Sequence, residues 1–409
     1  VVPKDRRVIT GTERVTFRPD RRVDDVVFRL WPNNATSRRS GGSLAINSVD
    51  VADKTTVTLE RSNTLLRVPL TTPVPANTKI TVNVRFTLTL PVGANERWGT
   101  RADSAWWGTG FPLLAYERGV GWATEPPTAL FAEAATSEVF RLADLTVVAP
   151  AGDTVLATGV QAGAPTATAD GRRTWRFTAT SVRDVAVTSG HMRRASSTVS
   201  GVPVVVGVTA SMSDDAATVL RAITAAMRDH VTRLGRFPFE HLSVTVIPDV
   251  SGGIEFPGAI LLGHNQLDAT ASHEVAHEWF YGLVGDNQAR DPWLDEAFAT
   301  YVEALDNGQS QRYQSAAVPA SGRNRVGRPM TFWENKGSRT YFRSVYLQGA
   351  SALLRARSAV GSATFDRAIR CYVNANAHRV ARPTDLARAL ASLPAALSIL
   401  RRVGALPGR

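Results

Sequence analysis

The sequence predicts an α+β protein of two folding units, a mostly antiparallel β domain followed by a mixed, mostly helical one. Three observations carry that expectation. The chain has 409 residues, more than one hydrophobic core organises comfortably. Its first half repeats short runs rich in β-branched residues, punctuated by Gly, Pro, Asn and Asp. Beyond about residue 204, apolar residues recur instead at three- and four-residue spacing.

In the first unit the clearest strand lies at 79–90, where Val82, Val84, Phe86, Leu88 and Leu90 alternate with Thr81, Asn83, Arg85, Thr87 and Thr89. A period of two sets one face on a core and the other in water. Similar runs fall at 24–30, 56–59, 65–70, 145–148, 154–156, 174–177 and 184–187. The polar, Ser- and Arg-rich stretch 190–201 reads as a linker, which gives expected domains of 1–195 and 196–409. A strand at 204–208 then precedes a helix at 214–234, on which Ala217, Leu220, Ile223, Met227, Val231 and Leu234 share a face. Another strand is expected at 242–247, with helices dominating later. There is no internal repeat and no low-complexity tract.

Composition excludes several classes. Hydrophobic residues make up 44% and charged residues 20%, a globular balance. No run is long and apolar enough to cross a bilayer as a helix, and no basic-then-apolar leader opens the sequence. It starts at Val1, so a processed or trimmed form is expected. The net charge of +11 comes almost wholly from arginine, since only Lys4, Lys54, Lys79 and Lys336 are lysines. The arginines are scattered rather than clustered, which argues against a nucleic-acid partner. A solvated basic surface is the plain expectation, and attraction to anionic cell-envelope polymers or acidic substrates the sharper one. Cys371 is the only cysteine, so neither an intrachain disulfide nor a multi-thiolate metal site is available.

The chemistry sits in Ser272-His273-Glu274-Val275-Ala276-His277. On a helix, His273 and His277 lie one above the other and can give two nitrogens to a tetrahedral zinc. Glu274 sits beside that face, within reach of a water whose pKa zinc lowers, and can accept its proton. A second helix is expected from Asp291 as N-cap and Pro292 at the first helical position. It carries Glu296, separated from His277 by 18 residues, enough to turn and return alongside. Two histidines and one glutamate leave a fourth position open, the mark of a catalytic rather than a structural zinc. Glu303 follows on the same face, either orienting His273 or His277 or facing solvent.

His-Glu-Val-Ala-His, the 18-residue interval, then Trp293-Leu294-Asp295-Glu296-Ala297-Phe298-Ala299-Thr300-Tyr301 resembles the gluzincins of the aminopeptidase N family. The resemblance implies one Zn2+ per chain held by His273, His277 and Glu296, with Glu274 as general base. It implies a β-saddle first domain, to whose opening 11–33 is similar, and a thermolysin-like catalytic domain. Gly252-Gly253-Ile254-Glu255-Phe256 resembles the family's Gly-x-Met-Glu-Asn edge strand. By that likeness Glu255 grips a peptide's α-ammonium, while Gly252 and Gly253 let backbone come close to substrate. Ile254 and Phe256 depart from the pattern. Tyr346-Leu347-Gln348-Gly349 resembles Tyr-x-Lys-Gly, making Tyr346 the donor to the oxyanion, with Gln348 in the lysine position. Tyr341 nearby reads as a packing aromatic.

The function implied is removal of N-terminal residues from peptide substrates. The alternatives are a zinc endopeptidase with relaxed amine selection and a non-catalytic binding scaffold. Many relatives continue into a β-sandwich and a large helical domain, whereas this chain reaches Arg409 after a few helices, so a more open active site is expected. Export or attachment to a bacterial cell envelope is expected from the absent leader, the lone cysteine and the habits of similar proteins. The cytoplasm is the alternative.

Overall fold

The computed structural model describes residues 1–407 apart from 53, 55, 96, 131–136, 249, 265 and 266. In its first unit the strands are short and pair antiparallel. Ile80–Thr89 is the centre of a three-stranded sheet, between Val8–Phe17 and Ser43–Asp50. Its alternation is realised as expected, with Val82, Val84 and Leu88 buried. Val23–Arg29 and Leu65–Val74 pair in a second sheet, and Phe140–Pro150 pairs with Arg172–Val182 in a third. The fourth sheet runs in the order Thr154–Ala157, Ala186–Gly190, Ser104–Gly108, Trp98–Thr100 and Gly93–Asn95.

The second unit is built on a five-stranded sheet in the order Met192–Val199, Val202–Thr209, Leu242–Val246, Ala259–Leu262, Gly253–Phe256. The two central pairings are parallel and the two outer ones antiparallel. The helix Ala216–Leu234 makes the crossover between the parallel strands Val202–Thr209 and Leu242–Val246. Asp215 caps it by accepting from Thr218 N at 2.9 Å, and Gly235 ends it at φ 106°. It buries Val219, Ile223, Met227 and Leu234. The helices Leu267–Ala276, Trp293–Asp306, Gly349–Val360 and Ser362–Asn376 follow.

One expectation is overturned here. The stretch 190–201 is no linker: Met192–Val199 is the first strand of the second unit's sheet. A division between 195 and 196 would therefore cut a strand. The segment looks like a linker because, as an edge strand, it exposes polar side chains along most of its length. Its register comes from a two-residue turn, Ser200-Gly201, between the paired Val199 and Val202. Both turn residues take positive φ, 51° and 83°, as a type I′ hairpin requires.

The units meet through a small core in which Trp106 and Ala186 of the first pack with Ile254, Phe256 and Leu261 of the second. Among the described residues no helix is long and apolar enough to cross a membrane, and Cys371 is exposed and free.

Candidate metal centre and active site

Two helices bring the three candidate metal ligands together. His273 lies on Leu267–Ala276. His277 lies just past that helix's last regular residue, where its N–H still donates to the His273 carbonyl at 3.3 Å. Glu296 sits in the first turn of Trp293–Asp306, where the helix dipole favours a carboxylate. This helix begins one residue later than expected. Pro292 occupies the cap position with no side-chain cap bond, and Asp291 contributes its carbonyl, 3.0 Å from Leu294 N, rather than its side chain. Phe280 and Phe298 stack at 4.5 Å and fasten the two ligand-bearing segments to each other.

His273 Nε2, His277 Nε2 and Glu296 Oε2 stand 3.2, 3.2 and 3.4 Å from one another. A tetrahedral zinc with bonds of about 2.0–2.1 Å has ligand–ligand edges of about 3.3–3.4 Å, so the donor triangle fits zinc in both chemistry and size. The other ring nitrogens are engaged. His273 Nδ1 lies 3.2 Å from Glu303 Oε2, and His277 Nδ1 lies 3.0 Å from the Phe280 carbonyl oxygen. Acceptors there favour a proton on each Nδ1, so that an Nε2 freed of its own proton presents its lone pair to the common point.

Charge in this cluster is set by burial and by the neighbouring carboxylates and imidazoles. Burial disfavours the charged form of His273, yet hydrogen bonds to Glu296 and Glu303 outweigh it and hold its pKa well above the usual histidine value. Burial also opposes charge on His277, but the neighbouring Glu296 carboxylate lifts it to about 8. Glu296 itself is pulled down, the His277 charge and the imidazole hydrogen bonds overcoming burial. Glu274 goes the other way. Burial raises it to about 7 against the pull of His273 and His277. Its Oε2 is buried without a hydrogen-bond partner among the described residues, a poise suited to a proton acceptor. Gly253 makes room for it, since a Cβ there would stand 2.4 Å from Glu274 Cγ. Close approach at this glycine is thus to Glu274. Gly252 instead supplies a positive φ of 91° ahead of the edge strand.

Tyr346 comes from a π-helical stretch, Arg343–Gln348, running into the helix Gly349–Val360. Such widened turns recur at functional sites. Its ring lies parallel to the His273 imidazole, 5.9 Å away at 6°. Gly349 permits the close packing beneath, because a Cβ there would meet Ala297 Cβ at 2.5 Å. Gln348 turns away from the cluster and braces Asn324 through two hydrogen bonds of 3.0 and 3.2 Å. Tyr341 is fully buried and meets Tyr346 edge-on. His273, Glu274, Glu303 and Tyr346 line a cavity of about 490 Å3, with Arg312 and Arg343 on its walls.

Glu255 stands on the edge strand Gly253–Phe256, 6% exposed. Its carboxylate, Glu274 and His277 have ligand atoms all within 4.8 Å of one another. Gln288 Nε2 donates to Glu255 Oε1 at 3.2 Å and to Asp295 Oδ2 at 2.9 Å, and Arg97 approaches the same Oε1 at 3.6 Å. Phe256 is buried, with its ring against Gly108 and beneath the Arg97 guanidinium. The departure at this position therefore serves packing between the two units. Arg97 and Gln288 escaped the sequence reading. Neither belongs to a motif, and one arginine among many carries no local signal.

A β-rich first unit, followed by a helix carrying His-Glu-x-x-His that faces a helix carrying a glutamate, is the arrangement expected of a zinc metallopeptidase. Residues 261–403 match the peptidase family M1 domain. Human aminopeptidase O is 36% identical over 95 residues, 21% of this chain and 12% of that protein. Aminopeptidase N of Streptomyces lividans is 33% identical over 82 residues, 17% of this chain and 10% of that one. The matched stretches thus span only about a tenth to a fifth of the curated relatives. In structure it resembles the M1 zinc metallopeptidase of Deinococcus radiodurans along nearly its whole length. The TM-score is 0.73 at 18% identity, over 98% of this chain and 91% of that one.

Proposed function

We propose that this protein is a zinc aminopeptidase that removes residues from the amino terminus of peptides. The observation that carries the reading is the placement of the buried Glu255 carboxylate beside Glu274 and His277, all within 4.8 Å. A peptide ammonium paired with Glu255 has its first carbonyl one Cα further on, which sets that peptide bond over the cluster of His273, His277 and Glu296. Zinc held there supplies Lewis acidity and lowers the pKa of water at its open position. Glu274 takes the proton of the attacking water and returns it to the departing amine. Tyr346 donates a hydrogen bond to the carbonyl oxygen as negative charge develops on it. Glu303 keeps His273 in its tautomer, and the residues downstream of the cleaved bond enter the 490 Å3 cavity. Among structural neighbours, the Deinococcus radiodurans metallopeptidase variant holds a Tyr-Ser-Ala substrate, a peptide length that such a cavity suits.

A second reading, an endopeptidase, draws on Arg97. Its approach to Glu255 at 3.6 Å offsets part of the charge meant for the substrate amine. Paired peptides, one with a free amino terminus and one acetylated, separate the two when products of the zinc-loaded protein are identified by mass spectrometry. Stepwise trimming of the free peptide alone is expected. Internal cuts in both would leave the metallopeptidase and overturn the aminopeptidase.

A further inference from the structure

The metal cluster has two histidines held in different ways. His273 leans on a side chain, Glu303, from the facing helix. His277 leans on a backbone carbonyl, that of Phe280, at 3.0 Å. The direction of that carbonyl is set by the turn that follows, and the turn is unusual. Tyr281 is bulky and 3% exposed, yet it has φ 116°, a conformation such a residue keeps only when its surroundings over-determine it.

Those surroundings belong largely to the first unit. Tyr281 Oη donates to Asp184 Oδ2 at 3.2 Å. Asp184 is itself fully buried and held by Thr109 Oγ1 at 2.5 Å and Val185 N at 2.7 Å. The neighbouring Arg183, also buried, donates from Nε to the Gly282 carbonyl at 3.2 Å and from Nη1 to the Ser137 carbonyl at 2.7 Å. Its guanidinium lies where a Cβ on Gly285 would be, only 2.2 Å away. Within the turn, Tyr281 N–H donates to the Val284 carbonyl and Gly282 N–H to the His277 carbonyl, both at 2.9 Å. The Phe280–Tyr281 peptide is thus gripped at both ends, its N–H on Val284 and its C=O on His277.

We propose that Arg183, Asp184 and Tyr281 are positioning residues for the metal centre. Side chains of the first unit clasp the turn after His277 and hold the Phe280 carbonyl on Nδ1, so that Nε2 faces the metal point. This rests on the reading of His277 as a ligand. It makes the first unit a working part of the site, whereas a purely adhesive contact would affect stability alone.

The test is Tyr281→Phe, which removes only the hydroxyl and leaves Asp184 its bonds to Thr109 and Val185. Zinc affinity is measured by chelator competition, the visible spectrum is recorded on the cobalt-substituted protein, and melting is followed in the metal-free form. Loss of an outer partner of a metal-binding histidine lowers affinity about 10–100-fold. The Tyr281 hydroxyl acts one link further out, through the Phe280 carbonyl, so we expect a fall at the lower end of that range, about 10-fold, and an altered cobalt spectrum. Unchanged zinc affinity and an unchanged spectrum overturn the proposal, whatever happens to melting. Should Tyr281→Phe fail to fold, Asp184→Asn, which keeps size and an acceptor, is read in the same way, with a smaller loss expected. Because these readouts concern metal, a wild-type protein that binds zinc without cutting peptides would sink the aminopeptidase reading alone.

Discussion

At the scale of single residues, Glu274 concentrates the account. It is buried, has one oxygen without a partner among the described residues, and is raised to about 7. Glu274→Gln keeps the shape and removes the proton acceptor, so kcat should fall by about 10²–10⁴-fold while zinc content stays at one per chain. Steady-state kinetics with metal analysis checks both, and an active variant would exclude this glutamate as the base. The histidines link metal binding to protons. In the metal-free protein the neighbouring carboxylates push His277 up to about 8 and raise His273 well above its usual value, so the cluster holds on to a proton that a metal must displace. Zinc affinity therefore weakens as pH falls. Calorimetry in buffers of differing ionisation heat should read net proton release on zinc binding at pH 7. Release near zero would mean that zinc binds elsewhere. The motif residues were legible because their spacing is itself the geometry. Arg97, Gln288 and the turn at Tyr281 were not, because each acts through a partner distant in sequence or through a backbone angle that the residue type does not announce.

At the scale of elements, close approaches explain why glycines stand where they do. Gly253→Ala drives a Cβ to within 2.4 Å of Glu274 Cγ. The glutamate must move, and a misplacement of this kind costs about 10²-fold in rate. Unchanged kcat at full zinc content would show that the base tolerates the shift. Gly349→Ala sets a Cβ 2.5 Å from Ala297 Cβ and should wedge its helix off the one carrying Glu296, destabilising by about 1–3 kcal/mol. Thermal or urea unfolding measures this. Strands were readable where one face is wet, as at Ile80–Thr89. Ser104–Gly108 was missed because every residue there is buried, so no alternation marks it, and it lacks the β-branched residues that still betray the equally buried Leu242–Val246. The opposite case, Met192–Val199, is polar for most of its length and reads as a linker until its hairpin partner is seen.

At the scale of the whole molecule, the two-unit plan was visible in the change of rhythm near residue 204, but the dependence of one unit on the other was not. Trp106 is fully buried in the shared core with Phe256 and Leu261. Trp106→Ala should remove about 3–5 kcal/mol of stability, read from denaturant unfolding, and a loss under 1 kcal/mol would mean that the units barely support each other. The central claim concerns the point where both units converge. Anomalous diffraction from zinc-loaded crystals, collected either side of the zinc edge, locates the ion directly. The account predicts one strong peak bounded by His273 Nε2, His277 Nε2 and Glu296. A peak among Glu255, Glu274 and His277 instead, or no peak near either group, would contradict it.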